Sequence, residues 1–278
     1  MRGMAFFLFL LDVGILRMTA KIASFPSLPT PLWPNESLQD LLDLARAKYS
    51  VDFEPVMVGG ITLQVLQITD MKERLDRAIA ENALADALNT LPLWAKVWPS
   101  SVMLGHLLSN APAMKHGTLE IGAGCGLAGL AAAAFGLGPV CISDINEDAL
   151  LFARINILRN GLQDRAEVRR VDIAQDNLKQ RFSLILGAEV LYLDHLYRPL
   201  VKFIKRHLAP ADAAQTDNAV PQALLASDHR RKAAPFLKKA EKEFAVSRKQ
   251  VGIREKTDSD DSRAERHLID IIRLTAHS

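Results

Sequence analysis

Hydrophobic positions along the chain switch between two periods, and the switches mark its elements. From Glu36 to Tyr49 the apolar residues Leu38, Leu41, Leu42 and Ala45 fall on one face of a helix. Pro55 to Thr69 is rich in β-branched residues and broken by Gly59-Gly60, which predicts a β-hairpin. Met71 to Leu88 returns to a helical composition of Glu, Lys, Arg and Ala. Beyond Trp98-Pro99, a helix runs through Val102, Leu104, Leu107 and Leu108. Short apolar runs then alternate with helical stretches. A strand ending near Ile121 leads to a helix from Leu127 to about Phe135. Val140–Ser143 is a strand, and Glu147–Asn160 is a helix stopped by Gly161. Strands follow at Glu167–Val171 and Phe182–Ala188, the latter a continuous apolar run fit for the middle of a parallel sheet. A helix from Asp194, read as its cap, to Leu208 precedes a strand at Ala223–Ser227 and a helix at Ala233–Phe244. Ala245–Ile253 and His267–Thr275 are two last strands with no helix between them.

This order predicts an α/β fold: a doubly wound, seven-stranded, mostly parallel sheet with an antiparallel ending. Residues 35–90 form a small N-terminal α+β cap, and residues 91–278 carry the sheet. Residues 1–34 stand apart. Met4 to Leu16 is apolar and follows Arg2, partly like a signal peptide, but Asp12 interrupts it and the stretch is too short to span a bilayer. The other reading takes Met18 as the natural start. Ser24 to Pro34 holds four prolines and reads as an extended linker.

The densest chemistry lies in Leu119-Glu120-Ile121-Gly122-Ala123-Gly124-Cys125-Gly126, between the first core strand and an alanine-rich helix. Glycines at alternate positions let the backbone turn sharply and let a ligand approach it. The helix start beyond them offers unpaired N–H groups. The dinucleotide fingerprint G-x-G-x-x-G would need a glycine where Leu127 stands, which points away from NAD and FAD. The E-x-G-x-G-x-G spacing resembles the first motif of class I S-adenosylmethionine (SAM) methyltransferases. Asp144 ends the next strand, about 20 residues further on, where a carboxylate meets a cofactor's ribose hydroxyls. Asn146 then caps the following helix. Cys125, inside the loop, reads as a small filler residue and not as a nucleophile.

A second cluster closes the fourth core strand: Gly187-Ala188-Glu189-Val190-Leu191-Tyr192. In open α/β sheets ligands sit at the carboxyl ends of the strands. Trp98-Pro99-Ser100, the glycine loop, Asp144 and Glu189-x-x-Tyr192 occur in the order seen in the seven-strand protein-lysine methyltransferases. The chain resembles that family over about residues 90–275, with Glu where its members usually carry the Asp of D-x-x-Y. The resemblance implies a Rossmann-like class I methyltransferase fold and SAM as cofactor. It implies that Glu120, Gly122, Gly124 and Gly126 hold the methionine part of SAM, that Asp144 binds its ribose, and that Trp98 walls the site. Asp172 would approach the adenine amino group or remain a solvated strand-end acid. Glu189 and Tyr192 would position the acceptor amine, a lysine of a protein substrate.

Composition narrows the alternatives. A net charge of +2 does not itself call for a polyanionic partner. The run His229-Arg230-Arg231-Lys232, with Lys238, Lys239 and Lys242, reads first as a solvated helix face and second as a nucleic-acid surface. The N-P-P-Y type run of enzymes that methylate base or amide nitrogens is missing after the fourth strand. Two cysteines give neither a disulfide framework nor a zinc site, so a reducing, cytoplasmic setting without membrane attachment is expected. The expected function is SAM-dependent methylation of an amine nitrogen. A small-molecule amine, a nucleic acid, or a SAM-binding module without turnover are the alternatives.

Overall fold

The computed structural model describes residues 32–81, 91–211, 219–231, 233–254 and 266–277. The segment before Leu32, the end of the helix expected over Met71–Leu88, residues 212–218, Lys232 of the basic run and residues 255–265 lie outside the described residues.

Helix α1 (Leu38–Arg46) opens on a capping box. The Ser37 hydroxyl accepts the Asp40 N–H while the Asp40 carboxylate accepts the Ser37 N–H, so two orphan donors are satisfied together. Strands β1 (Val51–Val58) and β2 (Ile61–Ile68) form the hairpin, in register from Val51↔Ile68 to Val58↔Ile61. Gly59 and Gly60 both have positive φ, as a two-residue turn matched to strand twist requires. Helix α2 (Met71–Ala80) follows, then a short 3₁₀ turn at Leu93–Ala95 and helix α3 (Pro99–Leu108), which has Pro99 in its first turn where no N–H is needed.

The main sheet holds β3 (Thr118–Glu120), β4 (Val140–Asp144), β5 (Ala166–Arg170), β6 (Leu184–Ala188), β7 (Gln222–Asp228), β8 (Ala245–Arg254) and β9 (Arg266–Thr275) in the order β5-β4-β3-β6-β7-β9-β8. The first five strands are parallel, and β9 runs antiparallel to both neighbours. Helices α4 (Leu127–Ala134), α5 (Glu147–Arg159), α6 (Tyr197–His207) and α7 (Ala234–Ala240) complete the fold. The α4 sequence LAGLAAAA is apolar on every side and almost wholly buried, which suits a helix enclosed by sheet and helices alike. One core cluster joins the sheet to α3, α4 and α5, and a second joins its other face to α6 and α7. Among the described residues no helix is long and apolar enough to cross a membrane.

Asp194 does not cap a helix. Residues Asp194–Leu196 form a 3₁₀ turn and α6 starts at Tyr197, with no side-chain cap. Proline explains the change. In an α-helix begun at Asp194, the Pro199 ring would meet the carbonyl of residue 195; with Tyr197 first, Pro199 falls in the opening turn, where it is tolerated.

The hairpin is fastened to the sheet domain through α5. Asn156 is fully buried; its Oδ1 accepts the Leu66 N–H at 2.7 Å and its Nδ2 donates to the Cys125 carbonyl at 3.0 Å. One turn on, Asn160 pairs with both the N–H and the carbonyl of Gln64, at 2.9 and 2.8 Å. These amides occupy the edge of β2 that faces α5, so that edge presents no open ladder to other chains. Leu41, Leu42, Leu66, Phe152 and Ile155 form a third core cluster beneath. Removing a buried partner leaves a group unsatisfied at about 1–3 kcal/mol each. Asn156→Ala is therefore expected to lower the unfolding free energy in urea by about 2–5 kcal/mol and to speed amide exchange at Leu66. Asn160→Ala, on the half-buried end of the helix, should cost about 1 kcal/mol.

Candidate active site

The chain leaves β3 for β4 and β5 on one side, then returns to β6 and β7 on the other, so the topological switch lies at the carboxyl ends of β3 and β6. The glycine loop and the Glu189–Tyr192 run both emerge there. Gly122, Gly124 and Gly126 all have positive φ, at 55°, 54° and 82°. Their roles differ. Gly122 is exposed towards the crevice. A Cβ on Gly124 would lie 2.4 Å from the Trp94 carbonyl oxygen, and one on Gly126 would lie 3.2 Å from both Ala153 and Ile142. A Cβ on Gly122 would lie 3.0 Å from Val190, so all three positions need glycine for close packing as well as for their positive φ, and Gly122 alone of the three is exposed.

The backbone of the loop is tied on several sides. Cys125 N–H donates to the Trp94 carbonyl, Ala123 N–H to the Ser143 carbonyl, and Gly124 N–H to Asp144 Oδ2 at 2.9 Å. The second Asp144 oxygen accepts the Asn146 N–H, while Asn146 caps α5 through the amides of Asp148 and Ala149. Asp144 is almost fully buried, and burial pushes its carboxyl up despite these donors. Beside it, Ile145 exposes about half of its surface.

Glu120 sits under the loop and not in the crevice. It is 1% exposed and its Oε2 accepts the Gly129 N–H at 2.8 Å, in the first turn of α4. Burial raises its carboxyl to about 8, against the opposing effect of the Gly129 and Ala128 amides. Gly129 is part of the same contact, because a Cβ there would lie 2.5 Å from Glu120 Oε2. Burial also pushes the Cys125 thiol up to about 12, so it carries no thiolate near neutral pH. Asp172, after β5, spends both oxygens on its own turn, accepting from the Ala174 amide and the Gln175 side chain.

Glu189 has a φ of 54°, in the left-handed region that a bulky non-glycine residue rarely adopts. Such strain costs about 1–3 kcal/mol and persists where the surroundings over-determine it. Here β7 holds the residue twice: Glu189 N–H donates to the Ala226 carbonyl and its Oε1 accepts the Asp228 N–H, both at 2.8 Å. Its Oε2 faces Arg231 Nε at 3.4 Å. Tyr192 is exposed, with its phenol raised by partial burial and by the Asp144 carboxylate, so it stays protonated at neutral pH. Trp98 anchors its indole N–H on the Leu93 carbonyl at 3.1 Å and carries the Lys96 ammonium 4.9 Å above its ring. An open cavity of about 480 Å³ brings Lys96 and Trp98 opposite Glu189, Asp228, Arg230 and Arg231.

The structure thus brings Trp98 and Glu189 to one cavity, whose lining does not include Tyr192, and sets Gly122 and Asp144 at the carboxyl ends of the paired strands β3 and β4. It puts Glu120, Gly124 and Gly126 into the packing around them. Trp94, Asn156, Lys96 and Asp228 were not singled out by the sequence. Trp94 was signalled only by its nearness to Trp98, and a lone Asn inside a helix gives no signal. Arg230 and Arg231, read as a solvated helix face or a nucleic-acid surface, lie on the turn after β7 and pair with Asp228 and Glu189.

The crevice suits the SAM cofactor that the motifs imply. Gly122 presents bare backbone, the Asp144 oxygens keep lone pairs for hydroxyl donors, and Ile145 offers an exposed apolar surface beside them.

Comparison with known proteins gives the family. Residues 65–244, well over half the chain, match the family model described as lysine methyltransferase. Protein N-lysine methyltransferase METTL21A of Mus musculus is 34% identical over 164 residues, covering 55% of this chain and 70% of that protein. The electron transfer flavoprotein beta subunit lysine methyltransferase of Mus musculus is 34% identical over 108 residues, covering 38% of this chain and 41% of that protein. Among solved structures, the N-methyltransferase NodS from Bradyrhizobium japonicum, in complex with S-adenosyl-L-homocysteine, aligns at 16% identity over 64% of this chain and 86% of that one, with a TM-score of 0.46. The chain belongs to the lysine methyltransferase family, with SAM as its methyl donor.

Proposed function

We propose that this protein methylates the side-chain amine of a lysine presented by another protein, in a reducing, cytoplasmic setting, and that the cavity between Trp98 and Glu189 receives that side chain. The observation that carries this reading is Glu189 itself: a strained acid, clamped twice to β7, at the mouth of a cavity beside the cofactor crevice. The names of the relatives, both acting on lysines, support it. An open cavity with a charged rim suits a long side chain reaching in from a larger surface.

In this reading Gly122 receives the methionine part of the donor along its bare backbone. Asp144 binds the ribose hydroxyls while its other bonds fix the loop. Glu120, Gly124 and Gly126 hold the loop's shape from beneath. Asp172 maintains the turn at the adenine end, and Trp98 walls the site. When bound, SAM supplies a methyl group already activated by its sulfonium, so the protein needs no covalent intermediate. What remains is to align a neutral amine lone pair with that methyl carbon, a task that positioning serves by up to roughly 7–11 kcal/mol in the best intramolecular models. The lysine ammonium must first lose a proton. Desolvation between Trp98 and the strand ends favours the loss, while the Glu189 carboxylate opposes it. Glu189 therefore binds and orients the amine, and the Tyr192 phenol offers it a neutral hydrogen-bond partner.

Two experiments test these assignments. Incubation with methyl-labelled SAM and cell extract is expected to label protein, with the label removed by protease and retained after RNase. Label confined to small molecules would overturn the protein-lysine reading. Glu189→Gln and Tyr192→Phe should each keep SAM binding by calorimetry while transfer falls, about 100-fold for Glu189→Gln. Gly124→Ala should lose SAM binding altogether.

A separate prediction, on stability, follows from Glu120. Its folded carboxyl keeps a proton up to about pH 8, whereas an unfolded one releases it near the ordinary value of 4.5. The stability tied to the protonated form is full below 4.5 and is lost as pH rises through 8. Each unit of such a shift is worth ~1.4 kcal/mol, so the loss amounts to several kcal/mol. Glu120→Gln keeps an acceptor for the Gly129 N–H without the titration. Thermal unfolding between about pH 5 and 9 should fall for the parent and flatten in the variant, apart from the share due to Asp144. Equal slopes would show that Glu120 is not the responsible group.

A further inference from the structure

We propose that Arg231 is the resting counter-ion of Glu189, and that the acceptor lysine displaces it and is selected by an acidic side chain of the substrate that takes over the freed guanidinium. This rests on the lysine-binding reading of the same cavity.

The two carboxylates at the ends of β6 and β7 are held very differently. Asp228 takes Arg230 in a fork, with Nε to Oδ1 at 2.8 Å and Nη2 to Oδ2 at 2.6 Å. Arg230 holds the Asp228 carboxyl down at about 2. Such two-bond pairs are short and oriented, and the difference from Arg231 lies in this geometry, since the Arg230 side chain is itself 76% exposed. Glu189 and Arg231 share one contact, Nε to Oε2 at 3.4 Å, at the long limit for a hydrogen bond. The Arg231 side chain is 43% exposed, while that of Glu189 is only 11% exposed. Glu189 Oε1 is committed to the Asp228 amide, so Oε2 is the oxygen left to a cation. The loosely held guanidinium is thus the group that an entering lysine ammonium replaces, like for like in charge.

The exchange leaves a consequence for the substrate. Lys96, Arg230 and Arg231 stand around the cavity with two carboxylates, Glu189 and Asp228. Once Glu189 is matched by the acceptor and Asp228 remains matched by Arg230, Arg231 and Lys96 give the rim a positive surplus. A second positive side chain arriving with the acceptor would be repelled, and an Asp or Glu beside it would be attracted. The favoured substrate class is a lysine with an acidic neighbour.

The test uses the full chain, methyl-labelled SAM and cell extract, with labelled lysines mapped by mass spectrometry. Asp or Glu is expected within a few residues of each labelled lysine. Replacing that acid by alanine in the recombinant substrate should lower kcat/KM about fivefold for the parent enzyme, the scale of a partly exposed ion pair. The loss should vanish with Arg231→Ala and return with Arg231→Lys, a coupling that a merely structural arginine would not show. Calorimetry with SAM confirms that the variants are folded, and Lys96→Glu on the opposite wall should by itself weaken the preference for acid. Labelled lysines without acidic neighbours, or an equal loss with Arg231→Ala and parent, would overturn the proposal while leaving lysine methylation standing. Label in no lysine at all would overturn both.

Discussion

The crevice depends on a backbone contact with no side chain in it: the carbonyl of Trp94 against the glycine loop. Cys125 N–H donates to that oxygen, and the Gly124 Cα lies so near it that any Cβ would collide. On its other side, the Cys125 carbonyl receives Asn156 from α5. A single residue in the loop, Cys125, is thereby fixed on both its peptide units by a segment about 30 residues before it in the chain and another about 30 after it. Loops that bind ligands are usually placed by a rigid scaffold. Here the scaffold includes the N-terminal hairpin, because the Asn156 amide that holds Cys125 also holds Leu66.

This arrangement links the N-terminal hairpin and α1 to the glycine loop, and no described residue of 32–81 lines the cavity. Trp94 stacks edge-on against Tyr49 and Phe152, at 5.8 Å from Tyr49 to Trp94 and 4.9 Å from Trp94 to Phe152. Tyr49 in turn donates to Asp148 in the first turn of α5. The aromatic cluster locks the 3₁₀ turn that carries the Trp94 carbonyl, and the same turn leads to Trp98 at the cavity. Packing energy in the hairpin region is converted into positional precision at the loop.

The sheet was legible because its strands are short apolar runs punctuated by glycine, and that pattern has few folded solutions. The glycine loop was legible as a turn, but not the division of labour within it. Composition cannot tell Gly122, which faces the crevice, from Gly124, whose neighbour comes from a distant turn. Glu120 reads as a ligand-facing acid because it precedes the loop, yet strand alternation sends its side chain beneath α4. Arg231 reads as part of a solvated face because its partner Glu189, 42 residues earlier, comes near it only when β6 and β7 pair. The Asp194 cap failed because Pro199, five residues on, decides where the helix can begin.

Glu189 draws these strands of the structure together. Its left-handed backbone turns the chain abruptly off β6, and the bonds to Ala226 and Asp228 keep that turn from relaxing. An aspartate tolerates such a conformation more readily than a glutamate. The longer side chain has a use that the shorter one lacks: it carries a carboxylate across to the Asp228 amide while leaving the second oxygen at the cavity. One oxygen thus makes the acid rigid, and the other makes it available. Rigid placement is what the proposed role requires of Glu189, since in a methyl transfer from an activated donor alignment is the protein's remaining contribution.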